Sequence, residues 1–227
     1  MAFKNLTKGL LIAFEGIDGA GKTTQALLLK DFLVSEGYEA TYLKEPTNGM
    51  FGQRIRFLAT NGRHHVDPEF EFNLFLEDRK EDVQKNISPA LKSRKVVIMD
   101  RYYFSNICYQ GALGLDVKII QRKNEEFAPK PDLVILLDVS PRVGISRITK
   151  IRGDKTNHFE KERYLSKVKK LFDKLDDPYV QRISSVAPID DVQMEVQNAS
   201  LAILRRYAVE EQKNTQRNLQ RIRRSAR

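Results

Sequence analysis

The residues richest in chemistry form one run, Gly16-Ile17-Asp18-Gly19-Ala20-Gly21-Lys22-Thr23, which fits G-x-x-x-x-G-K-[ST]. Gly16, Gly19 and Gly21 let the backbone approach an anion closely and point N–H groups at phosphate oxygens. Those N–H groups are also the unsatisfied donors of a following helix, whose dipole favours negative charge. Lys22 has the reach for β- and γ-phosphates, and the Thr23 hydroxyl suits the Mg²⁺ that accompanies them. With glycine at about 7 % of an average chain, a chance match at this length is on the order of 1 %. The run, extended to Thr24, is therefore expected to bind a nucleoside triphosphate. No Asn-Lys-x-Asp stretch is present to read guanine, which favours ATP.

Such a loop does not name a reaction, because ATPases, kinases and nucleotide sensors share it. Magnesium also needs an acid at a strand end, and two apolar runs end in one: VVIMD at Asp100 and VILLD at Asp138. Asp138 leads into Ser140-Pro141, which reads as an N-cap and a first helical position. Asp100 is followed by Arg101-Tyr102, placing a cation beside an acid at the sheet edge where α/β ligands bind. Asp100 is the favoured ligand.

The elements that must position these residues alternate. Residues 10–15, 40–43, 96–100, 133–138 and 180–184 read as strands, three of them apolar throughout, as in strands covered on both faces. Residues 22–36, 69–93, 141–150, 159–175 and 190–207 carry a period near 3.6, and Gly37 stands where a C-cap glycine is expected. Strand–helix alternation implies a parallel sheet between helices, a three-layer α/β/α domain.

The 227 residues carry 39 Lys and Arg against 30 Asp and Glu, a net charge of +9, and suffice for one buried domain. Eight basic and two acidic residues fall between 205 and 227, so most of the surplus is a C-terminal tail. A polybasic tail is able to bind nucleic acid, and its lack of apolar residues predicts a frayed or disordered end. Cys108 is the single cysteine, which excludes a disulfide framework, suits a reducing cytosol and reads as a buried small residue. His64, His65 and His158 have no metal-site spacing. No apolar run approaches the ~18 residues that span a bilayer, and the apolar stretch before Glu15 is too short for a signal peptide.

Beyond the loop, the chain carries KEPT (44–47), GQRIR (52–56), LFLEDR (74–79), DRYYFSNICYQG (100–111), PDLVILLDVSP (131–141) and an Arg152-Gly153 pair followed by Phe159-Glu160. In this order and spacing they resemble the thymidylate kinase family, which phosphorylates dTMP with ATP. The resemblance covers about four-fifths of the chain. It implies a P-loop kinase fold with a five-stranded parallel sheet, a short lid near 147–158, and a single domain over 1–208 followed by the basic tail 209–227. It implies Mg²⁺ held at Thr23 and Asp100, a cytoplasmic homodimer, and no membrane or nucleic-acid partner for the kinase region.

Site roles follow from the resemblance. Asp18 would face the acceptor 3′-hydroxyl. Arg56 and Arg101 would grip the 5′-phosphate, which suits guanidinium forks. Phe75 and Arg79, four apart on a predicted helix, share a face; the ring would stack on thymine and the Arg would bond a base carbonyl. Alone, Phe75 would read as core. Asn106 would read the base edge and Tyr109 would exclude a ribose 2′-hydroxyl, with Pro46, Ser105 and Gln110 completing the acceptor site. Arg147 would stack on adenine.

The attacking phosphate oxygen is already anionic, so catalysis would be positioning and charge compensation by Lys22, Arg101 and a lid arginine. The loop holds no arginine, which points to Arg152. Two segments depart from the family pattern: Asp154 to His158 lack its Asp-Arg pair, and Ser184-Ser185 replace its Asp-Ala. Two other readings are a deoxynucleoside kinase and a non-catalytic nucleotide- or nucleic-acid-binding module.

Overall fold

The computed structural model describes residues 4–61, 66–152 and 158–209. The run of apolar residues that delivers the phosphate loop forms β1 (Leu10–Glu15), the middle strand of a sheet. With β2 (Ala40–Lys44), β3 (Val96–Asp100), β4 (Leu133–Asp138) and β5 (Val180–Ser184) it makes a five-stranded sheet in the order β2-β3-β1-β4-β5. Every pairing is parallel, so all C-terminal ends, and the residues that follow them, lie along one edge. Along that edge Asp100 is in register with Phe14 on one side and Lys44 on the other. β1 and β3 are buried from end to end, and the edge strands β2 and β5 are not. This is why the central strands read as unbroken apolar runs.

The helices are α1 (Lys22–Ser35), α2 (Met50–Asn61), α3 (Pro68–Asp82), α4 (Ser88–Lys92), α5 (Tyr103–Ala112), α6 (Val117–Glu125), α7 (Pro141–Arg152), α8 (His158–Phe172) and α9 (Ile189–Tyr207). α1 and α9 pack on each other and on the sheet, while α5 packs against α3, α6 and α8. The three-layer α/β/α fold expected from the sequence is present. α1 ends at the expected glycine: Gly37 has φ 84°, and Tyr38 N–H reaches back to the Leu33 carbonyl at 2.9 Å.

The sequence predicts one long helix over 69–93, and the structure divides it. A π-helical turn, Val83–Ile87, separates α3 from α4. Pro89 lies just beyond; it has no N–H for the carbonyl one turn back, and its ring crowds that carbonyl, so the ladder widens there. The sequence analysis places no helix at three further segments, α2, α5 and α6. α5 is buried on nearly all sides. α6 is short and is set by its cap, with the Asp116 carboxylate accepting from Lys118 and Ile119 N–H. α2 contains Gly52, whose absent side chain admits the Thr47 carbonyl.

One contact fixes the phosphate loop to α7. A Cβ on Gly144 would lie 2.4 Å from the Asp18 carbonyl oxygen, and one on Gly19 would lie 2.2 Å from the Gly144 carbonyl oxygen. Backbone meets backbone with no room for a methyl group. Gly144→Ala should therefore push the loop and α7 apart and cost about 1–3 kcal/mol. Urea denaturation measures this, and an unchanged midpoint would contradict the tight packing.

Candidate active site

The phosphate loop leaves β1 at Gly16, turns at Gly19 with φ 80°, and enters α1 at Gly21 with φ 91°. These left-handed angles admit glycine without strain. Lys22 is buried and folds back on its own loop, donating to the Gly16 carbonyl at 3.0 Å and the Ile17 carbonyl at 2.8 Å. Burial pushes its pKa down to about 7, Arg101 repels in the same direction, and Asp18, Asp100 and Glu15 oppose them.

Thr23, the next residue, donates its hydroxyl to Asp100. Tyr42 O–H reaches the same carboxylate at 3.0 Å, and the Lys44 ammonium lies 3.2 Å away. Burial acts to raise the Asp100 pKa, but the Thr23 hydroxyl, Lys44, Lys22 and Arg101 together hold it below the usual carboxylate range. The result is an ionised acid touching the hydroxyl beside the loop. Asp138 is differently occupied, paired with Lys169 at 2.7 Å.

Arg101 follows Asp100 with φ 72°, a left-handed angle that strains a residue with a side chain. Its N–H is tied to the Phe14 carbonyl at 3.0 Å. Its guanidinium pairs with Asp18, donates to Ser105 Oγ at 3.0 Å and lies 5.2 Å over the Tyr109 ring. Desolvation disfavours its charge, but Tyr109, Asp18 and Glu15 outweigh that and keep it protonated.

Glu15, the last residue of β1, was given no site role from the sequence. Its buried carboxylate accepts the Tyr102 N–H at 2.8 Å, the Ser105 N–H at 3.1 Å and the Ser105 hydroxyl, so it caps α5 from another strand. Burial raises its pKa against those hydrogen bonds and the pull of Arg101. The available signal was an acid closing an otherwise apolar strand.

A cavity of about 290 Å³ opens next to the loop. Asp18, Pro46, Arg56, Phe75, Arg79, Arg101, Ser105, Asn106, Tyr109 and Gln110 all line it, which brings together every residue expected on the acceptor side. Glu45, Ile55, Ala59 and Tyr102 complete the wall. Phe75 and Arg79 come from α3, and Ser105, Asn106, Tyr109 and Gln110 from α5. Arg56 of α2 donates to the Pro46 carbonyl at 2.9 Å and the Thr47 carbonyl at 2.6 Å, so it also holds the 46–47 turn. The Asp78 carboxylate fixes that turn from below, accepting Thr47 N–H at 2.8 Å and Thr47 O–H at 2.6 Å. The Glu45–Pro46 peptide is cis.

Glu45, part of the KEPT run, was given no site role from the sequence. It forms a buried ion pair with Arg79, its carboxylate accepting from Nε at 3.0 Å and also from Nη2. Burial lifts the Glu45 pKa to about 7; Arg79 opposes the rise, and Asp82 and Asp78 add to it. Most of the Arg79 guanidinium is thus spent inside the protein, with Nη1 donating to Asn124 as well.

A second cavity, about 390 Å³, lies along the loop and is lined by Gly19 to Gly21, Thr24, Gln25, Arg147, Ile148 and residues 185–192 in part. Arg147 donates to the Gly19 carbonyl at 3.3 Å and the Ser185 carbonyl at 2.7 Å. Gln25 Oε1 and Ser185 Oγ are buried here without a hydrogen-bond partner. Arg152 ends α7, with its side chain outside the described residues; Gly153 to Asn157, His64, His65 and the tail from residue 210 also lie outside them. The two cavities meet the same loop, Asp18 facing one and Gly19 to Gly21 the other.

The family model described as thymidylate kinase matches residues 14–196. A thymidylate kinase of Desulfotalea psychrophila is 48 % identical over 188 residues, covering 83 % of this chain and 92 % of that protein. A probable thymidylate kinase of Archaeoglobus fulgidus is 47 % identical over 187 residues, covering 82 % and 92 % respectively. The crystal structure of thymidylate kinase from Ehrlichia chaffeensis superposes with a TM-score of 0.69 at 27 % identity, over 85 % of this chain and 98 % of that one. With the family model matched over residues 14–196 and relatives 47–48 % identical along most of its length, the chain belongs to the thymidylate kinase family.

Proposed function

We propose that the chain transfers the γ-phosphoryl group of ATP, in line, to the 5′-phosphate of dTMP, giving dTDP for dTTP synthesis. The observation that supports this best is one phosphate loop bordered by two cavities, with Asp18 and Arg101 on the acceptor side and Arg147 on the other. ATP lies along Gly16 to Thr24 with its adenine toward Arg147. dTMP occupies the acceptor cavity, its phosphate toward Arg56 and Arg101, its base against Phe75 and within reach of Arg79 and Asn106. Tyr109 fills the space of a ribose 2′-hydroxyl, and Asp18 faces the 3′-hydroxyl.

Thr23 and Asp100 offer hard oxygen donors side by side, which suits Mg²⁺. Among the described residues no cluster of three or more His, Cys, Asp or Glu is built for a resident metal, so the ion fits as a companion of the nucleotide. When bound it neutralises charge on the β- and γ-phosphates. The attacking oxygen is already anionic, so Lys22, Arg101 and Arg152 act by compensating charge between two polyanions. A deoxynucleoside kinase would instead need a carboxylate base for a neutral hydroxyl; Arg56 and Arg101 in one cavity favour a phosphorylated acceptor.

The chain is one kinase domain over 1–208, with a lid near 147–158 and a basic tail over 209–227 that this chemistry does not use. It acts as a cytoplasmic homodimer. No helix among the described residues is long and apolar enough to cross a membrane.

ADP production at fixed Mg-ATP should be fast with dTMP, lower with dUMP by about 10- to 200-fold at most, since one methyl separates them, and absent with thymidine. Activity with thymidine but not dTMP would overturn the proposal. Arg152→Ala should lower kcat by about 10³ or more, as for other charge-compensating arginines, and a loss below about tenfold would remove it from that role.

Lys22 sets a pH dependence. With a pKa near 7 it is partly neutral in the free protein at pH 7–8, and incoming phosphates restore its charge. ATP binding should therefore take up a fraction of a proton at pH 7.5, and the uptake should fade below about pH 6, where the ammonium is already charged. Isothermal titration calorimetry in buffers of different ionisation enthalpy measures this. Zero uptake, or release, would contradict the depressed pKa.

A further inference from the structure

Phosphoryl transfer leaves one large feature of the chain unused, its basic residues away from the nucleotides. From Lys213 to Arg227 there are five arginines, one lysine and no acid. The fold fixes where this segment departs. α9 runs back from the C-terminal edge of the sheet and ends at Tyr207, whose carbonyl accepts the Thr7 N–H at 2.8 Å. Leu6 and Ala208 pair antiparallel, and the Val209 N–H donates to the Asn5 carbonyl at 2.9 Å. Residues 5–8 lead into β1, so the chain departs at the N-terminal edge of the sheet. The phosphate loop lies at the other end of β1, about 20 Å away across a six-residue strand.

The departure edge is itself basic. Arg205 and Arg206 are exposed in the last turn of α9, and beside them the Lys8 ammonium lies 4.4 Å over the Tyr207 ring. The backbone of Gly9, next in the chain, packs on the Leu91 backbone, which brings in the exposed Lys92 and Arg94. Acids in this part of the edge are already taken: Glu36 by Lys4 at 3.3 Å, Asp132 by Lys8 at 2.5 Å and Glu39 by Lys95 at 3.1 Å. Lys92, Arg94, Arg205 and Arg206 form no ion pair among the described residues. Asp176 and Asp177 precede β5, which β4 separates from β1.

A run of arginines that continues an unpaired basic edge fits a polymer of phosphates better than one small anion. The guanidinium fork matches phosphate oxygens two at a time. Asn214, Gln216, Asn218 and Gln220 interleave further hydrogen-bonding groups for phosphates and sugars. An anionic membrane attracts the same charge, but Leu219 and Ile222 are the only large apolar residues between 213 and 227. Two are short of the apolar face that a membrane-surface segment inserts.

We infer that residues 205–227, with Lys92 and Arg94, form a binding surface for the phosphate backbone of nucleic acid. It lies at the edge opposite the phosphate loop, so nucleotides and nucleic acid are bound at once.

Fluorescence anisotropy of a labelled DNA duplex titrated with the full chain tests this. The logarithm of the association constant should fall against the logarithm of salt concentration with a slope of about −5 to −7, as for about six to eight phosphate contacts. Changing Lys213 and the five arginines after it to glutamine should weaken binding about 100-fold or more at about 100 mM KCl. Arg205→Gln with Arg206→Gln should weaken it several-fold and take about 2 off the steepness of the slope. Neither variant should alter turnover of dTMP, and saturating Mg-ADP with dTMP should not displace the duplex. Thermal melting of each variant separates loss of fold from loss of contact.

Binding that is absent at about 100 mM KCl, or that is unchanged in either variant, would overturn the inference. Displacement by the nucleotides would do the same, by placing the DNA in the active site. Tighter binding to vesicles of equal parts phosphatidylcholine and phosphatidylserine than to DNA would make the partner a membrane and overturn it as well. A chain that binds DNA in this way but is inactive on dTMP would overturn the proposed function alone.

Discussion

The carboxylate of Glu15 closes the strand that delivers the phosphate loop and caps the helix that delivers Ser105, Asn106, Tyr109 and Gln110. One buried side chain thereby sets the distance between donor loop and acceptor cavity. Its desolvation is only partly offset by three hydrogen bonds and the nearby Arg101 charge, so its pKa stays raised. Arg101 depends on the same arrangement, because Ser105 Oγ, held by Glu15, accepts from its guanidinium. The left-handed backbone at Arg101 persists because its N–H is tied to the Phe14 carbonyl, one residue before Glu15.

A second buried pair, Glu45 with Arg79, does the equivalent for the far wall of the acceptor cavity. Replacing such a pair with apolar residues often leaves stability unchanged, so its value here is directional. The Arg79 guanidinium carbon lies 5.5 Å over the Tyr102 ring. Glu45 takes Nε and Nη2 while Asn106 and Asn124 take Nη1, so the guanidinium is held from two sides. Asp78 adds a third fixed acid, locking Thr47 and the turn that presents Pro46. That wall is held by polar groups as well as apolar ones.

Much of this was legible in the sequence where a local pattern carries the information. The phosphate loop, the buried strands and the C-cap at Gly37 are properties of adjacent residues, and the residues expected on the acceptor side line one cavity. α5 lies within the DRYYFSNICYQG run, whose residues were read for their chemistry and not as a helix. Glu15, Glu45 and Asn124 escaped for a different reason. Their partners are Ser105, Arg79 and Asn106, which are 90, 34 and 18 residues away, and no local spacing encodes those encounters. Each acid did announce itself weakly, as a charge at the end of a β-strand or just beyond one.

The fold-back of Lys22 gives nucleotide binding the character of an exchange. Its amine spends two donors on the Gly16 and Ile17 carbonyls, so a phosphate engages that group only by displacing backbone oxygens already bound to it. The net gain is the difference between two sets of hydrogen bonds, and a weak or singly charged anion gains little from the trade. The lysine thus acts as a threshold, favouring ligands with enough negative charge in a row to engage the loop N–H groups and the ammonium together.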